Sequence, residues 1–249
     1  MKILTLIPAR MGSSRFPGKP MATILGKPMI GHVYEGVAKS SISTLTAVAT
    51  CDQEIFNYIK SIGGHAVMTS SIHERASDRC AESLLILEKA NNTYYDIVVM
   101  VQGDEPMTHP NMIVEAVQPI LNNSDIQVTN LLGKIKDLAE FEDRNCIKVV
   151  CDKNLDAMYF SREPIPSQSK AKKIPMFKQV CVIAFRRDYL LKYTLLPPTT
   201  LEVIESIDMM RVLEHGMKVR MVPTLYETYA VDTPLDLLKV ERLMKKMDA

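Results

Sequence analysis

Short apolar runs that alternate with segments of helical apolar spacing constrain this chain more than any other feature. The first run, Ile3 to Pro8, suits a strand buried on both faces, as strands of a parallel sheet are. A loop dense in Gly, Ser, Arg and Pro follows, Ala9 to Pro20, and then Met29 to Ala38 carries Ile30, Val33 and Val37 on one helical stripe. The pattern repeats. Thr44–Ala49 reads as a strand, Gln53–Ile62 as a helix stopped by Gly63-Gly64, Ala66–Met68 as a strand and Asp78–Lys89 as a helix. Asp96–Val101 is the most apolar strand candidate and ends abruptly in Gln102-Gly103-Asp104-Glu105-Pro106. The alternation predicts a doubly wound α/β fold, a mostly parallel central sheet flanked by helices. Polar groups at the carboxyl end of a strand stand where such a sheet meets its ligand.

The second half is less regular. Val128–Leu132, Ile147–Cys151, Ala157–Phe160 and Gln179–Phe185 read as strands, and Ser161–Lys173 as an exposed polar segment. Leu201–His215 reads as one helix, Lys218–Val222 as a strand, and a last helix runs from Pro234, capped by Asp232 or Thr233. No linker divides the 249 residues, so a single domain over 1–249 is expected.

Composition removes several classes of function. Thirty basic against twenty-nine acidic residues leave a net charge of +1, so there is no global attraction to nucleic acid or anionic lipid. Any anion site must be local. The longest apolar stretches fall well short of the roughly 18 residues of a membrane span, and Pro8 and Arg10 close the amino-terminal run before a signal peptide could form. The five cysteines form no C-x-x-C pair, which argues against a disulfide framework or zinc site and for a reducing cytoplasm. The five histidines share no ligand spacing, and His73 alone lies near the expected site. The sixteen methionines read as core filler.

The loop after the first strand gathers Arg10, Ser13, Ser14, Arg15 and Lys19, with Gly12 and Gly18 where the backbone must turn. Arginine forks, a lysine point charge and exposed amides suit a triphosphate. A solvated basic turn is the plain alternative. Asp104 ends the most apolar strand, and Asp232 stands at a second strand-to-helix corner, Val231-Asp232-Thr233-Pro234. Taken alone, Asp232 reads as a helix N-cap. The two aspartates are also able to share a magnesium ion, which takes one or two carboxylates and completes its shell with phosphate oxygens and water. The cluster Lys170, Lys172 and Lys173 reads as a solvated loop or as a lid over phosphates.

Several long motifs stand in one order along the chain. They are Ile7-Pro8-Ala9-Arg10, Ser14-Arg15-Phe16-Pro17-Gly18-Lys19-Pro20, Gly26-Lys27-Pro28-Met29-Ile30, Val101-Gln102-Gly103-Asp104-Glu105-Pro106, Tyr159-Phe160-Ser161-Arg162 and Val231-Asp232-Thr233-Pro234. Together they resemble the 3-deoxy-manno-octulosonate (Kdo) cytidylyltransferases, or CMP-Kdo synthetases, from first strand to last helix. The resemblance implies a Rossmann-like nucleotidyltransferase domain, a homodimer, that couples CTP to an acidic sugar and releases pyrophosphate for a bacterial surface glycan. It implies Ala9, Arg10, Ser14, Arg15, Lys19, Ser77 and Arg79 as nucleotide-binding residues, with Arg10, Lys19 and Asp104 catalytic. Asp104 and Asp232 would hold Mg2+. The sugar acid would meet Gln102, Arg162, Gln179, Glu202, Glu205 and Met209, and residues of about 155–225 would carry sugar-binding and dimerisation elements.

The departures concern the acceptor. Where the family reads Ser-Gly-Thr-Glu-Arg, this chain has Arg75-Ala76-Ser77-Asp78-Arg79; where it reads His-Leu-Gly-Ile-Tyr-Gly-Tyr, it has Gln179-Val180-Cys181-Val182-Ile183-Ala184-Phe185. Leu-Glu-Gln-Leu-Arg becomes Ile207-Asp208-Met209-Met210-Arg211, so a sugar-facing glutamine would become Met209. Each lost hydrogen bond costs roughly 0.5–1.5 kcal/mol. These changes raise a different acid as acceptor: another ulosonic acid, a nonulosonic acid or a phosphorylated acid. A nucleotide-binding regulator without turnover is the reading from outside enzymes.

Overall fold

The computed structural model describes residues 1–12, 15–170 and 174–247. In chain order it contains β1 (Ile3–Ala9), β2 (Thr23–Ile24), β3 (Lys27–Pro28), α1 (Met29–Ala38), β4 (Leu45–Thr50), α2 (Gln53–Ser61), β5 (Ala66–Met68), α3 (Ala76–Asn91), β6 (Ile97–Val101) and α4 (Pro110–Asn122). There follow β7 (Val128–Lys134), α5 (Leu138–Glu142), β8 (Lys148–Cys151), β9 (Ala157–Ser161), β10 (Phe177–Arg186), α6 (Arg187–Thr194), α7 (Thr200–Glu205), α8 (Asp208–Glu214), β11 (Arg220–Pro223) and α9 (Pro234–Met247).

Among the described residues nine strands form one sheet, ordered β11-β7-β10-β6-β1-β4-β5, with β8 joined to β10 and β9 to β8. Strand β1 runs parallel to β4 and β6, β4 to β5, and β11 to β7. The mostly parallel sheet expected from the alternation is present, with β10 inserted antiparallel between β6 and β7 and the added strands β8 and β9 pairing antiparallel as well.

Alternate side chains explain why β1 and β6 read as continuous apolar runs. Ile3, Ile7, Ile97, Val99 and Val101 pack on one face against α1, α2 and α4, through residues such as Val33, Ile55 and Ile113. Leu4, Leu6, Val98 and Met100 pack on the other against α3, α6 and α8, through Leu84, Leu190 and Val212. From β1 the chain winds outward through β4 and β5, then returns to β6 on the opposite side of β1. The carboxyl ends of β1 and β6 therefore border the crevice at a reversal of strand order, where open α/β sheets bind ligands.

Three helices have no counterpart in the sequence reading. Helix α4 opens on Pro110 and carries Pro119 inside, and α6 begins at Arg187 directly after β10 with no turn residue between them. Helix α5 is only five residues long.

The single helix expected over Leu201–His215 is broken into α7 and α8 at Ser206, whose φ of 53° is left-handed. Long-range bonds repay the break. Arg162 donates from Nε to the Glu205 carbonyl at 2.7 Å and from Nη2 to the Ser206 carbonyl at 3.3 Å, capping the end of α7 with a cation. The Glu205 carboxylate accepts from Tyr159 Oη, Ser161 Oγ and the Arg162 N–H, which moors α7 to β9. The break also turns Glu202 inward, fully buried, where Arg211 grips it with two bonds of 2.7 Å.

Two stability measurements follow. A Cβ at Gly36 of α1 would stand 2.9 Å from the Thr108 carbonyl, in the turn just beyond Asp104. Gly36→Ala is expected to cost about 1–3 kcal/mol by overpacking, read from urea unfolding. Glu202→Gln leaves Arg211 buried without its counter-charge and is expected to cost about 3 kcal/mol in the same assay; a residue that served ligand contact instead would leave stability intact.

Candidate active site

The loop after β1 closes on itself before presenting its charges. Met11 N–H donates to Asp52 Oδ2 at 2.8 Å, and Gly18 N–H donates to the Met11 carbonyl at 3.0 Å. Gly18 takes a φ of 73°, which favours glycine, and starts the 3-10 turn over Lys19–Met21. That turn aims Lys19 inward. Its Nζ donates to Asp104 Oδ2 at 2.7 Å and to Asp232 Oδ1 at 3.3 Å. Arg15 Nη2 lies 2.9 Å from the same Asp232 oxygen, while Nη1 donates to Asn145 Oδ1. Ser13, Ser14, Lys172 and Lys173 lie outside the described residues.

Each aspartate is delivered by a defined turn. A Cβ at Gly103 would stand 3.0 Å from the Pro8 carbonyl, so the turn carrying Asp104 seats closely on the end of β1. Val231 N–H donates to the Asp104 carbonyl at 2.9 Å, which draws the start of α9 onto the same turn. Thr233 is the residue that caps α9, not Asp232. Asp236 Oδ2 accepts from the Thr233 N–H at 2.8 Å, and the Asp236 N–H donates to Thr233 Oγ1 at 3.3 Å. Capping thus leaves the Asp232 carboxylate to face Lys19 and Arg15.

Two carboxylates converging on one ammonium form an all-oxygen donor pair. Among the described residues no cluster of three or more His, Cys, Asp or Glu is placed to hold a metal unaided. A hard dication fits here only by drawing its remaining ligands from phosphate or water, which is the habit of Mg2+. Behind Asp104, burial and the neighbouring Asp104 charge push the Glu105 carboxyl up to about 7.

A cavity of about 330 Å3 opens beside this pair, lined by Pro8, Ala9, Arg10, Arg15, Arg75, Arg79, Gln102, Ser206 and Asp208. Arg10 is exposed at its edge, without a hydrogen bond or ion pair among the described residues. Arg79 is buried and donates to Thr69 Oγ1 and to the Ser70 carbonyl, so it holds the loop before α3 while lining the cavity. Ser77 is fully buried and spends its hydroxyl on Asp208 Oδ2 at 3.2 Å. Arg75 meets Asp208 at 3.3 Å and Glu202 at 3.5 Å; burial pushes the Asp208 carboxyl up while Arg75 opposes it. His73 pairs with Glu82 at 2.5 Å.

The residues expected on the acceptor do not come together. Gln102 lines the first cavity, whereas Gln179 lines a second one of about 490 Å3 with Lys178, Cys181, Tyr229 and Asp232. Arg162 and Glu205 are occupied in mooring α7, Glu202 lies in a buried ion pair, and Met209 is in the core with no exposed surface. Ile183 and Phe185 also face the core, so the hydroxyls absent at those positions are absent from a packed interior rather than from either cavity. Arg75 and Asp208 line the first cavity but had no functional signal in the sequence. Both were visible only as departures from family motifs, and Asp208 reaches the site through the break at Ser206.

Comparison with known proteins agrees with this geometry. The family model described as cytidylyltransferase matches residues 4–219. The chain is 42% identical over 257 residues to the 3-deoxy-manno-octulosonate cytidylyltransferase of Geotalea uraniireducens, covering 99% of this chain and all of that one. It is 40% identical to the enzyme of the same name from Syntrophus aciditrophicus, over 98% of this chain and 97% of that one. The solved structure of CMP:2-keto-3-deoxy-manno-octonic acid synthetase complexed with CTP superposes with a TM-score of 0.88 at 37% identity, covering 99% of this chain and 100% of that one. A cytidylyltransferase from Leptospira borgpetersenii, 17% identical with a TM-score of 0.65, covers 99% of this chain and 87% of that one and shares the fold. Full-length identity near 40%, the matched family model and the close superposition together establish that this chain belongs to the 3-deoxy-manno-octulosonate cytidylyltransferase family.

Proposed function

We propose that this chain transfers CMP from CTP to the anomeric hydroxyl of Kdo and releases pyrophosphate, using Mg2+, in the synthesis of a bacterial surface glycan. The observation that carries the reading is the Lys19 ammonium held between Asp104 and Asp232 at the strand-order reversal, beside Arg10 and Arg15. Arg10, Arg15 and Lys19 bind the β- and γ-phosphates, with the Ala9 backbone and Ser14 completing the cradle. The amino end of α3, Ser77 to Arg79, shapes the nucleotide end of the cavity, Arg79 directly and Ser77 by fixing Asp208. Asp104 and Asp232 hold the dication, which when bound neutralises phosphate charge.

The hydroxyl oxygen of the sugar attacks the α-phosphorus in line. The new bond is C–O–P, the bond broken is that to the bridging oxygen of pyrophosphate, and the hydroxyl proton leaves to solvent. The chain's contribution is position and charge: Lys19 and Arg10 stabilise negative charge as it builds on the departing pyrophosphate. Gln102 orients the acceptor from the wall of the first cavity.

Kdo is favoured over other acids because three of the substitutions that raised them, at Ile183, Phe185 and Met209, are core packing, which leaves Gln179, in the wall of the second cavity, as the departure open to a ligand. We propose further that residues 1–249 act as one catalytic unit in a cytoplasmic homodimer. The exposed apolar residues Leu195, Val203 and Ile204 around α7 give that dimer a face. No helix among the described residues is long and apolar enough to cross a membrane.

Magnesium-dependent pyrophosphate release is expected with CTP and Kdo, and little with UTP. Release only with a nonulosonic or phosphorylated acid would overturn the acceptor, and binding of CTP without release against every acid would point to a regulator. Asp104→Asn is expected to lower kcat by roughly two orders of magnitude or more, with the thermal midpoint within a few degrees of the parent.

A further inference from the structure

Asp104 and Asp232 come from segments far apart in the chain, and neither aspartate lies within a strand or helix. Their spacing must therefore be held by something other than the sheet ladder or a helix. Glu105 is only 4% exposed, and both of its carboxyl oxygens are occupied. Oε1 accepts from the Cys181 N–H at 3.2 Å, and Oε2 accepts from Thr228 Oγ1 at 2.8 Å. These two partners belong to the two walls of the site.

Cys181 stands in the bulge of β10, where the register with β7 shifts between Val180 and Ile183. The bulge is filled from β7 by Asn130, fully buried, whose Nδ2 donates to the Val180 carbonyl at 2.7 Å. The carbonyl of Cys181 in turn accepts from the Gln102 N–H at 3.2 Å, on the turn that carries Asp104. Thr228 lies on the segment that returns from β11 to α9 and delivers Asp232. One buried carboxyl thus ties the Asp104 turn to β10 on one side and to the Asp232 segment on the other. Glu105 borders the second cavity, but both of its oxygens are bonded and only 4% of its surface is exposed, so its carboxyl is spent on the two segments rather than offered to a ligand.

We infer that Glu105 is a positioning residue, which bonds Cys181 and Thr228 at once and so sets the separation of Asp104 and Asp232 that a dication requires. The inference rests on the reading of those two aspartates as metal ligands. Its role is to hold the two segments that carry the aspartates, as outer partners of metal ligands do.

The test measures Mn2+ affinity of the CTP-bound protein by the free-ion EPR signal, CTP affinity in EDTA by calorimetry, and thermal unfolding. Glu105→Leu, which removes both bonds, is expected to weaken Mn2+ binding about 10- to 100-fold while metal-free CTP binding stays within about twofold. Thr228→Val, which removes one bond, should weaken Mn2+ binding by a smaller factor in the same direction. Glu105→Gln should restore most of the affinity, because its amide oxygen still accepts from Cys181 and its NH2 group donates to Thr228 Oγ1. Asp104→Asn serves as the reference for loss of a ligand. Intact Mn2+ affinity in Thr228→Val and Glu105→Leu, alongside a large loss in Asp104→Asn, would overturn the positioning role alone. Intact affinity in Asp104→Asn would instead overturn the metal reading, and this inference with it. If Glu105→Leu does not fold, Thr228→Val decides by the same measure.

Discussion

Strands β1 and β6 lie side by side with both faces covered, so Ile7 and Val101 on one side and Leu6 and Met100 on the other leave water together. That shared burial brings Ala9 and Val101 to one edge of the sheet, because the pairing of Ile3 with Ile97 fixes the register of everything that follows. The loops leaving those ends carry the charges. Were the register to slip by one residue, the apolar sets of both strands would face the wrong helices.

The electrostatics of the site depend on that placement. Lys19 is brought in by a turn that needs a left-handed glycine, and it finds two carboxylates instead of solvent. Lys19 and Arg15 are balanced there by Asp104 and Asp232. A second layer of charge lies beneath the first cavity. There Glu202, Arg211, Arg75 and Asp208 form a chain of ion pairs around Ser77, with the Arg211 guanidinium 5.1 Å above the Tyr193 ring. Buried charges of this kind persist only when paired, and their pairing is what orients α8 behind the cavity.

Much of the fold could be read directly. Continuous apolar runs, for strands buried on both faces, and stripes of period 3.6 located β1, β4, β6, α1 and α2, because local patterning records which sides of an element are dry. Helix α4 was hidden by Pro110 and Pro119, which signal a loop locally yet are tolerated where α4 packs through Met112, Ile113 and Val117. The break at Ser206 was equally silent. It is stabilised by Arg162, more than forty positions earlier in the chain, so no window around residue 206 contains its cause.

The candidate site divides along the same line. Arg10, Lys19, Asp104 and Asp232 were visible in the sequence because each follows a strand end or precedes a helix in a motif that is specific in itself. Glu202, Glu205 and Met209 matched, or replaced, family positions by order alone, and the folded chain gives them to an ion pair, a helix mooring and the core. Whether a carboxylate meets a ligand or an arginine depends on which face of a broken helix it occupies and what packs opposite. The sequence by itself determined the elements, their alternation and the charged groups at the strand ends, since these follow from local pattern and steric preference. Only the tertiary structure decided that Lys19 bridges Asp104 and Asp232, that Glu105 holds both walls and that Gln102 and Gln179 face different cavities. Those relations join residues far apart in the chain, and their energy exists only once water has been excluded between them.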